Sequence, residues 1–122
     1  MHVTLWIVAG LLAAAFLAGG LIKLTQPKQK LAAAPGGGWV QDVGGGVVKA
    51  IGALEVVAAA GLVLPAASGV APILVPLAAV GIIVLMVGAI IVHLRRHERT
   101  VIIVNLTYIA LAALVAWGRF GP

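Results

Sequence analysis

The stretch that decides the fold is KAIGALEVVAAAGLVLP, from Lys49 to Pro65. It is long and apolar enough to cross a membrane, yet it contains Glu55, and the whole chain has only 3 acidic residues. A carboxylate at the centre of a membrane helix costs roughly 2.5–3.5 kcal/mol on insertion scales. We therefore expect Glu55 to have a partner, a protonated state or a function, and we favour a function over a purely structural pair with a lysine or histidine.

Composition places the chain among integral membrane proteins. Of its 122 residues, 63% are hydrophobic and 9% are charged, and the mean hydropathy is +1.22. Soluble domains have about a quarter of their residues charged. The absence of cysteine excludes thiol–disulfide chemistry and thiolate metal sites within the chain, and we expect no metal.

Four segments satisfy the requirement of about 20 predominantly apolar residues for a membrane helix. They are residues 3–24, 47–64, 73–94 and 101–117. None alternates polar and apolar residues as barrel strands do, so we predict helices. The second is expected to stop at Pro65, since proline lacks a backbone donor. The prediction is an all-α, compact four-helix membrane bundle that forms a single domain over residues 1–122.

The connection 25–46 is the only long one. Its glycine triplets flank Trp39 and Asp42, and we favour a mobile interfacial linker over a lid on a site. The segment PKQKLAAA at its start could form a short interfacial helix.

Basic residues surround the first and third connections, whereas the second carries no charge. They are Lys23, Lys28, Lys30, Lys49, Arg95, Arg96 and Arg99. The positive-inside rule then places loops 25–46 and 95–100 in the cytoplasm and both termini outside. We attribute most of the net charge of +5 to these basic residues, and we expect them to contact anionic lipids rather than nucleic acid.

Polar residues within the spans lie at similar depths. Glu55 and Asn105 each lie six residues beyond a basic residue, which is about 9 Å into the membrane. Lys23 and His93 end the first and third spans on the same side. One polar group from each helix therefore converges on one half of the bundle, and Tyr108 could join them one turn deeper.

Small residues share the helical faces of these polar groups, which indicates that the faces point inward. The candidate ligand-binding residues are Glu55, His93, Asn105, Lys23, Lys49, Tyr108 and Trp39. Structural alternatives remain open for four of them. Asn105 is favoured as an interhelical hydrogen-bonding residue, His93 could face headgroups at a helix end, and the two lysines could be interfacial anchors.

The pattern Lys49-x-x-Gly52-x-x-Glu55, followed by AAAGLVLP, GAIIVHLRRHE and NLTYIALAALVAWGRF, resembles the DoxX-like family, as does GGLIKL at the end of the first span. The resemblance implies a compact four-helix bundle in a bacterial cytoplasmic membrane. The family name is associated with the smaller subunit of an archaeal thiosulfate:quinone oxidoreductase, and relatives are linked to redox complexes and membrane-protein assembly. Of the pattern, Lys49, Gly52, Glu55 and His93 carry over.

Three functions follow from these observations. We favour a non-enzymatic accessory protein that holds a quinone- or lipid-like molecule, or a partner's membrane helix, at the Glu55 cluster. The alternatives are a membrane enzyme, either an isomerase or a quinone-linked oxidoreductase subunit, and a small proton-coupled carrier or exporter. Carriers made of four spans are often dimeric, so another membrane protein or a second copy of the chain could be a partner. No haem, iron–sulfur or flavin signature is evident, so a bound quinone or lipid is the only cofactor expected.

Overall fold

A computed structural model describes residues 2–34, 37–69, 71 and 73–120. Five α-helices and one 3-10 turn account for most of these residues, and none of the described residues forms a strand. In chain order the elements are α1 His2–Thr25, α2 Lys28–Ala33, the 3-10 turn Gly38–Asp42, α3 Gly45–Ser68, α4 Leu74–Arg95 and α5 Arg99–Phe120. The predicted short helix at the start of the long connection is therefore present as α2.

The four long helices are the predicted membrane helices, and their ends lie within a few residues of the predicted bounds. Their candidate spans have mean hydropathies of 2.1 to 2.9. Large apolar side chains also cover the outside of the bundle; Val3, Leu11, Val57 and Ile103, for example, are each more than half exposed. A surface of this kind suits lipid rather than water. The chain is an integral membrane protein.

The end of α3 differs from the prediction. The apolar span within it ends at Pro65, as expected, but the helix continues to Ser68. Proline so close to a helix end removes only one hydrogen bond of the last turns, so the chain can complete another turn. The helix stops at Gly69, whose φ of 73° is left-handed and whose amide donates to the Pro65 carbonyl.

The long helices form a ring in which each contacts two neighbours, in the order α1, α3, α4, α5. The most extensive contacts join α1 to α3 and α4 to α5. The core between them is apolar and includes the fully buried side chains of Leu12, Leu62, Ile82 and Val115.

Two glycines allow α1 and α3 to approach closely. A Cβ atom added to Gly20 would lie 2.6 Å from the Gly52 carbonyl oxygen, and one added to Gly52 would lie 2.9 Å from the Gly20 oxygen. Backbones can meet at this distance only where side chains are absent, as is common between membrane helices. The close approach places the last turns of α1 directly beside the first third of α3.

The 3-10 turn of the long connection packs against the bundle. Val40, within the 3-10 turn, is only 2% exposed. A Cβ atom at Gly38 would overlap the guanidinium group of Arg96, which follows α4. The two connections at this end of the bundle are therefore in contact, which the prediction of a mobile linker did not anticipate.

Candidate functional site

A cavity of about 610 Å³ lies in the half of the bundle that contains the ends of α1 and α4. All four long helices and the 3-10 turn contribute to its wall, which is mostly apolar. Six of the seven candidate residues line it: Lys23, Trp39, Glu55, His93, Asn105 and Tyr108. The polar groups that the sequence placed at a similar depth, one from each long helix, therefore all line this cavity.

Glu55 is paired with a lysine from the neighbouring helix. Lys23 Nζ lies 2.8 Å from Glu55 Oε1, and the two side chains are 23% and 9% exposed. Gly19 makes room for the carboxylate, since a Cβ atom there would lie 2.9 Å from Glu55 Oε2. The charge of the buried carboxylate is therefore compensated by an ammonium group.

Lys49, the seventh candidate, lies elsewhere. Its Nζ donates to the Leu24 carbonyl oxygen at 2.9 Å, at the C-terminal end of α1, and the side chain is exposed. Lys49 and Glu55 are six residues apart on one helix, which turns their side chains to different faces. The structure thus places Lys49 as expected of an interfacial anchor and separates it from the cavity.

His93 is buried, with 5% of its surface exposed, so it does not face headgroups. Its Nδ1 lies 2.8 Å from Glu98 Oε1, and Arg96 Nε lies 3.3 Å from the same oxygen. The hydrogen bond with His93 is the main cause that lowers the pKa of the Glu98 carboxyl, with Arg96 adding to it. The imidazole ring is thereby held in one orientation at the cavity wall.

A hydrogen bond from Asn105 to another helix was the favoured prediction, and its amide nitrogen makes none to a described residue. Its side chain is 6% exposed, and its Nδ2 is buried without a hydrogen-bond partner among the described residues. A buried donor left unpaired costs about 1–3 kcal/mol. Asn105 lines the cavity and therefore offers it an unused hydrogen-bond donor.

Two aromatic side chains complete the polar part of the wall. Tyr108 contacts Phe16 edge to face, with ring centroids 5.3 Å apart, which fixes its ring across the α1–α5 boundary. Trp39 lies at the cavity from the 3-10 turn. Neither the Tyr108 hydroxyl nor the Trp39 indole nitrogen makes a hydrogen bond to a described residue.

Comparison with known proteins assigns the chain to a family. The sequence profile of the DoxX-like family matches residues 7–115, which is most of the chain. The chain belongs to the DoxX-like family. No curated protein and no solved structure matches it.

Sequence reasoning missed two residues of the connection after α4, Glu98 and Arg96, that contact the site of this DoxX-like protein from outside the spans. Glu98 reaches back to His93 because His97 adopts a left-handed conformation, with φ of 58°, and the Glu98 amide donates to the His93 carbonyl. The contact of Arg96 with Gly38 was also missed. The sequence signal is that Glu98 follows His93 by five residues, but the contact between their side chains depends on the turn at His97.

The polar groups at the cavity wall define the chemistry available to the site. No group of three or more His, Cys, Asp or Glu side chains in the described ranges could hold a metal ion. What this DoxX-like protein offers is an apolar cavity with a compensated ion pair, an imidazole, a phenol, an indole and one free amide donor.

Proposed function

We propose that this DoxX-like protein is a membrane accessory protein that binds a hydrophobic small molecule, quinone- or lipid-like, in the cavity beside Glu55. The observation that carries the proposal is the unpaired Nδ2 of Asn105 at the wall of a mostly apolar cavity of about 610 Å³. Cavities that bind small molecules measure about 300–1,000 Å³ and combine an apolar lining with a few polar groups.

A closed structural seam is the competing explanation of the buried acid. The Lys23–Glu55 pair by itself would fit such a seam, since each charge has its partner. A seam gives no reason, however, for a cavity next to the pair or for a buried amide without a partner. A ligand with a polar end accounts for both, because it fills the space and accepts the hydrogen bond from Asn105.

The test is to identify what the protein retains on purification. The wild-type protein is taken from the membrane in lipid nanodiscs, and its lipids are extracted and identified by mass spectrometry against empty nanodiscs. We expect a specific hydrophobic compound to be enriched with the wild type and reduced in Asn105→Leu.

Thr107→Val is the matched control. Thr107 is a polar residue of the same helix, but it is exposed, and its hydroxyl donates to the Ile103 carbonyl oxygen at 3.0 Å. Equal enrichment in Asn105→Leu and the wild type, or no enrichment at all, would contradict the proposal. Recovery of a stable second protein in place of a compound would instead favour a partner helix as the occupant.

The proposed orientation places the cavity end of the bundle in the cytoplasm of a bacterial cell. The basic residues of the connections around α2 and after α4 support it through the positive-inside rule. Because the chain has no cysteine, a single cysteine introduced at Gln29 can be tested with a membrane-impermeant thiol reagent. Labelling in intact cells would reverse the orientation.

A further inference from the structure

The cavity opens sideways between α3 and α4. Several of its lining residues also lie on the outer surface of the bundle: Val47 of α3 is 50% exposed, and Val84 and Val92 of α4 are 67% and 37% exposed. Val84, Gly88 and Val92 follow one another at intervals of four residues, which forms a stripe about 12 Å long on one side of α4. The cavity is partly open, and its exposed lining residues lie on α3 and α4, whereas those of α1 and α5 are buried or half-buried, so the opening lies between α3 and α4.

The opening exists because α3 and α4 touch near their other ends. A Cβ atom at Gly61 would lie 2.9 Å from the Ala78 Cβ atom, so the two helices are closely packed there. Towards the start of α3 and the end of α4 the space between the helices becomes the cavity. In a membrane-spanning bundle this side of the molecule faces the hydrocarbon of the bilayer.

The charges at the cavity wall are already compensated within the protein. Lys23 pairs with Glu55, and His93 is bonded to Glu98. A ligand with a net charge would bring an uncompensated charge into a region of low dielectric constant, which is strongly unfavourable. The buried side-chain atom of the wall that is left without a partner is instead a neutral donor, the Nδ2 group of Asn105.

From these observations, and resting on the proposed function, we infer both the class of the ligand and its route. The ligand is a neutral, lipid-soluble molecule with a hydrogen-bond-accepting group such as a carbonyl. It enters from the bilayer through the opening between α3 and α4, places the acceptor at Asn105, and leaves its apolar chain in the opening beside Gly88.

Three photoreactive probes with equal alkyl chains test the head group. Each carries a diazirine near the end of the chain, and the head is a methyl ketone, a carboxylate or a trimethylammonium group. In nanodiscs, we expect saturable labelling by the ketone probe to exceed labelling by either charged probe. Asn105→Leu should lower labelling by the ketone about fivefold, as expected for loss of one neutral hydrogen bond.

Two glycines of α4 provide a matched pair of variants for the route. Gly88 borders the opening, and no atom lies within 4 Å of the position of a Cβ there, so Gly88→Phe fits the fold and places a ring in the opening. Gly81 lies two turns earlier on the same face, is equally exposed and equally free of neighbours, but does not line the cavity. Gly88→Phe should lower labelling severalfold, whereas Gly81→Phe should leave it at the wild-type level.

The outcomes separate this inference from the proposed function. Saturable labelling by a charged probe at or above the level of the ketone would overturn the ligand class, and equal labelling of the two glycine variants would overturn the route. In both cases binding itself would stand. Absence of saturable labelling by all three probes would overturn the inference, and the compound retained on purification would then decide the proposed function independently.

Discussion

Replacing Gly52 with alanine is expected to separate α1 from α3 and to disturb the Lys23–Glu55 pair. The added Cβ atom would lie 2.9 Å from both the Gly20 carbonyl oxygen and the Lys23 Cβ atom. Ordinary contacts of a Cβ atom begin at 3.4 Å, so the helices must move apart by about 0.5 Å, the difference between 3.4 and 2.9 Å. Neither obstacle is the end of a flexible side chain that could rotate away.

The cost follows from the loss of close packing along this boundary. Overpacking of a tightly packed contact costs typically about 1–3 kcal/mol. The better helix propensity of alanine offsets about 0.5–1 kcal/mol of it. The 2.8 Å ion pair lies one turn from the substituted position, so part of the loss should appear as a weaker interaction between Lys23 and Glu55.

Reversible unfolding in mixed micelles, titrated with dodecyl sulfate and followed by circular dichroism, measures the effect. Gly10→Ala is the control, because Gly10 lies in α1 with no atom within 4 Å of the position of a Cβ. It gains helix propensity without a clash, so the two variants should differ by about 1–3 kcal/mol in unfolding free energy. If Gly52→Ala unfolds at the same detergent fraction as Gly10→Ala, the close approach of α1 and α3 is not the contact that limits stability.

Two further predictions concern the charged groups. Lys23→Met leaves the Glu55 carboxylate without its partner and should destabilise the protein by about 3 kcal/mol, the low end of the range for buried pairs because Lys23 keeps 23% of its side chain exposed. In the same titration, Lys23→Met/Glu55→Leu should recover most of that loss; a double variant as unstable as the single one would argue against the pair. The pKa of Glu98 is lowered by its hydrogen bond with His93, so its contribution to stability is full above its usual pKa of 4.5 and is lost as the pH falls through the lower folded-state value. In Glu98→Gln, the thermal midpoint should therefore fall less steeply than in the wild type as the pH is lowered below 4.5. The same dependence of the midpoint on pH in both proteins would count against the hydrogen bond between His93 and Glu98.

Much of the architecture could be predicted because hydropathy is a local property. The four spans and the depth of Glu55 and Asn105 follow from counting residues along each helix, since an α-helix advances by about 1.5 Å per residue. The extension of α3 beyond Pro65 was missed because a proline near a helix end costs less than one in its interior.

The same counting could not assign partners. Depth places a residue along the helix axis but leaves open which helix lies beside it and at what distance. The choice of Lys23 over Lys49 as the partner of Glu55 depends on the glycine contact between α1 and α3. Counting also left the partner of Asn105 open, and in the structure its Nδ2 has no hydrogen-bond partner among the described residues.

The sequence by itself thus determined that the protein spans a membrane with four helices and that its polar groups share one level of the bundle. Only the tertiary structure decided that these groups surround an open cavity rather than a closed seam. The physical reason is that side-chain composition fixes which environment each segment prefers, whereas the space between helices depends on where two backbones can touch. Here α3 and α4 touch at Gly61 and Ala78, and the space that remains towards their other ends becomes the cavity.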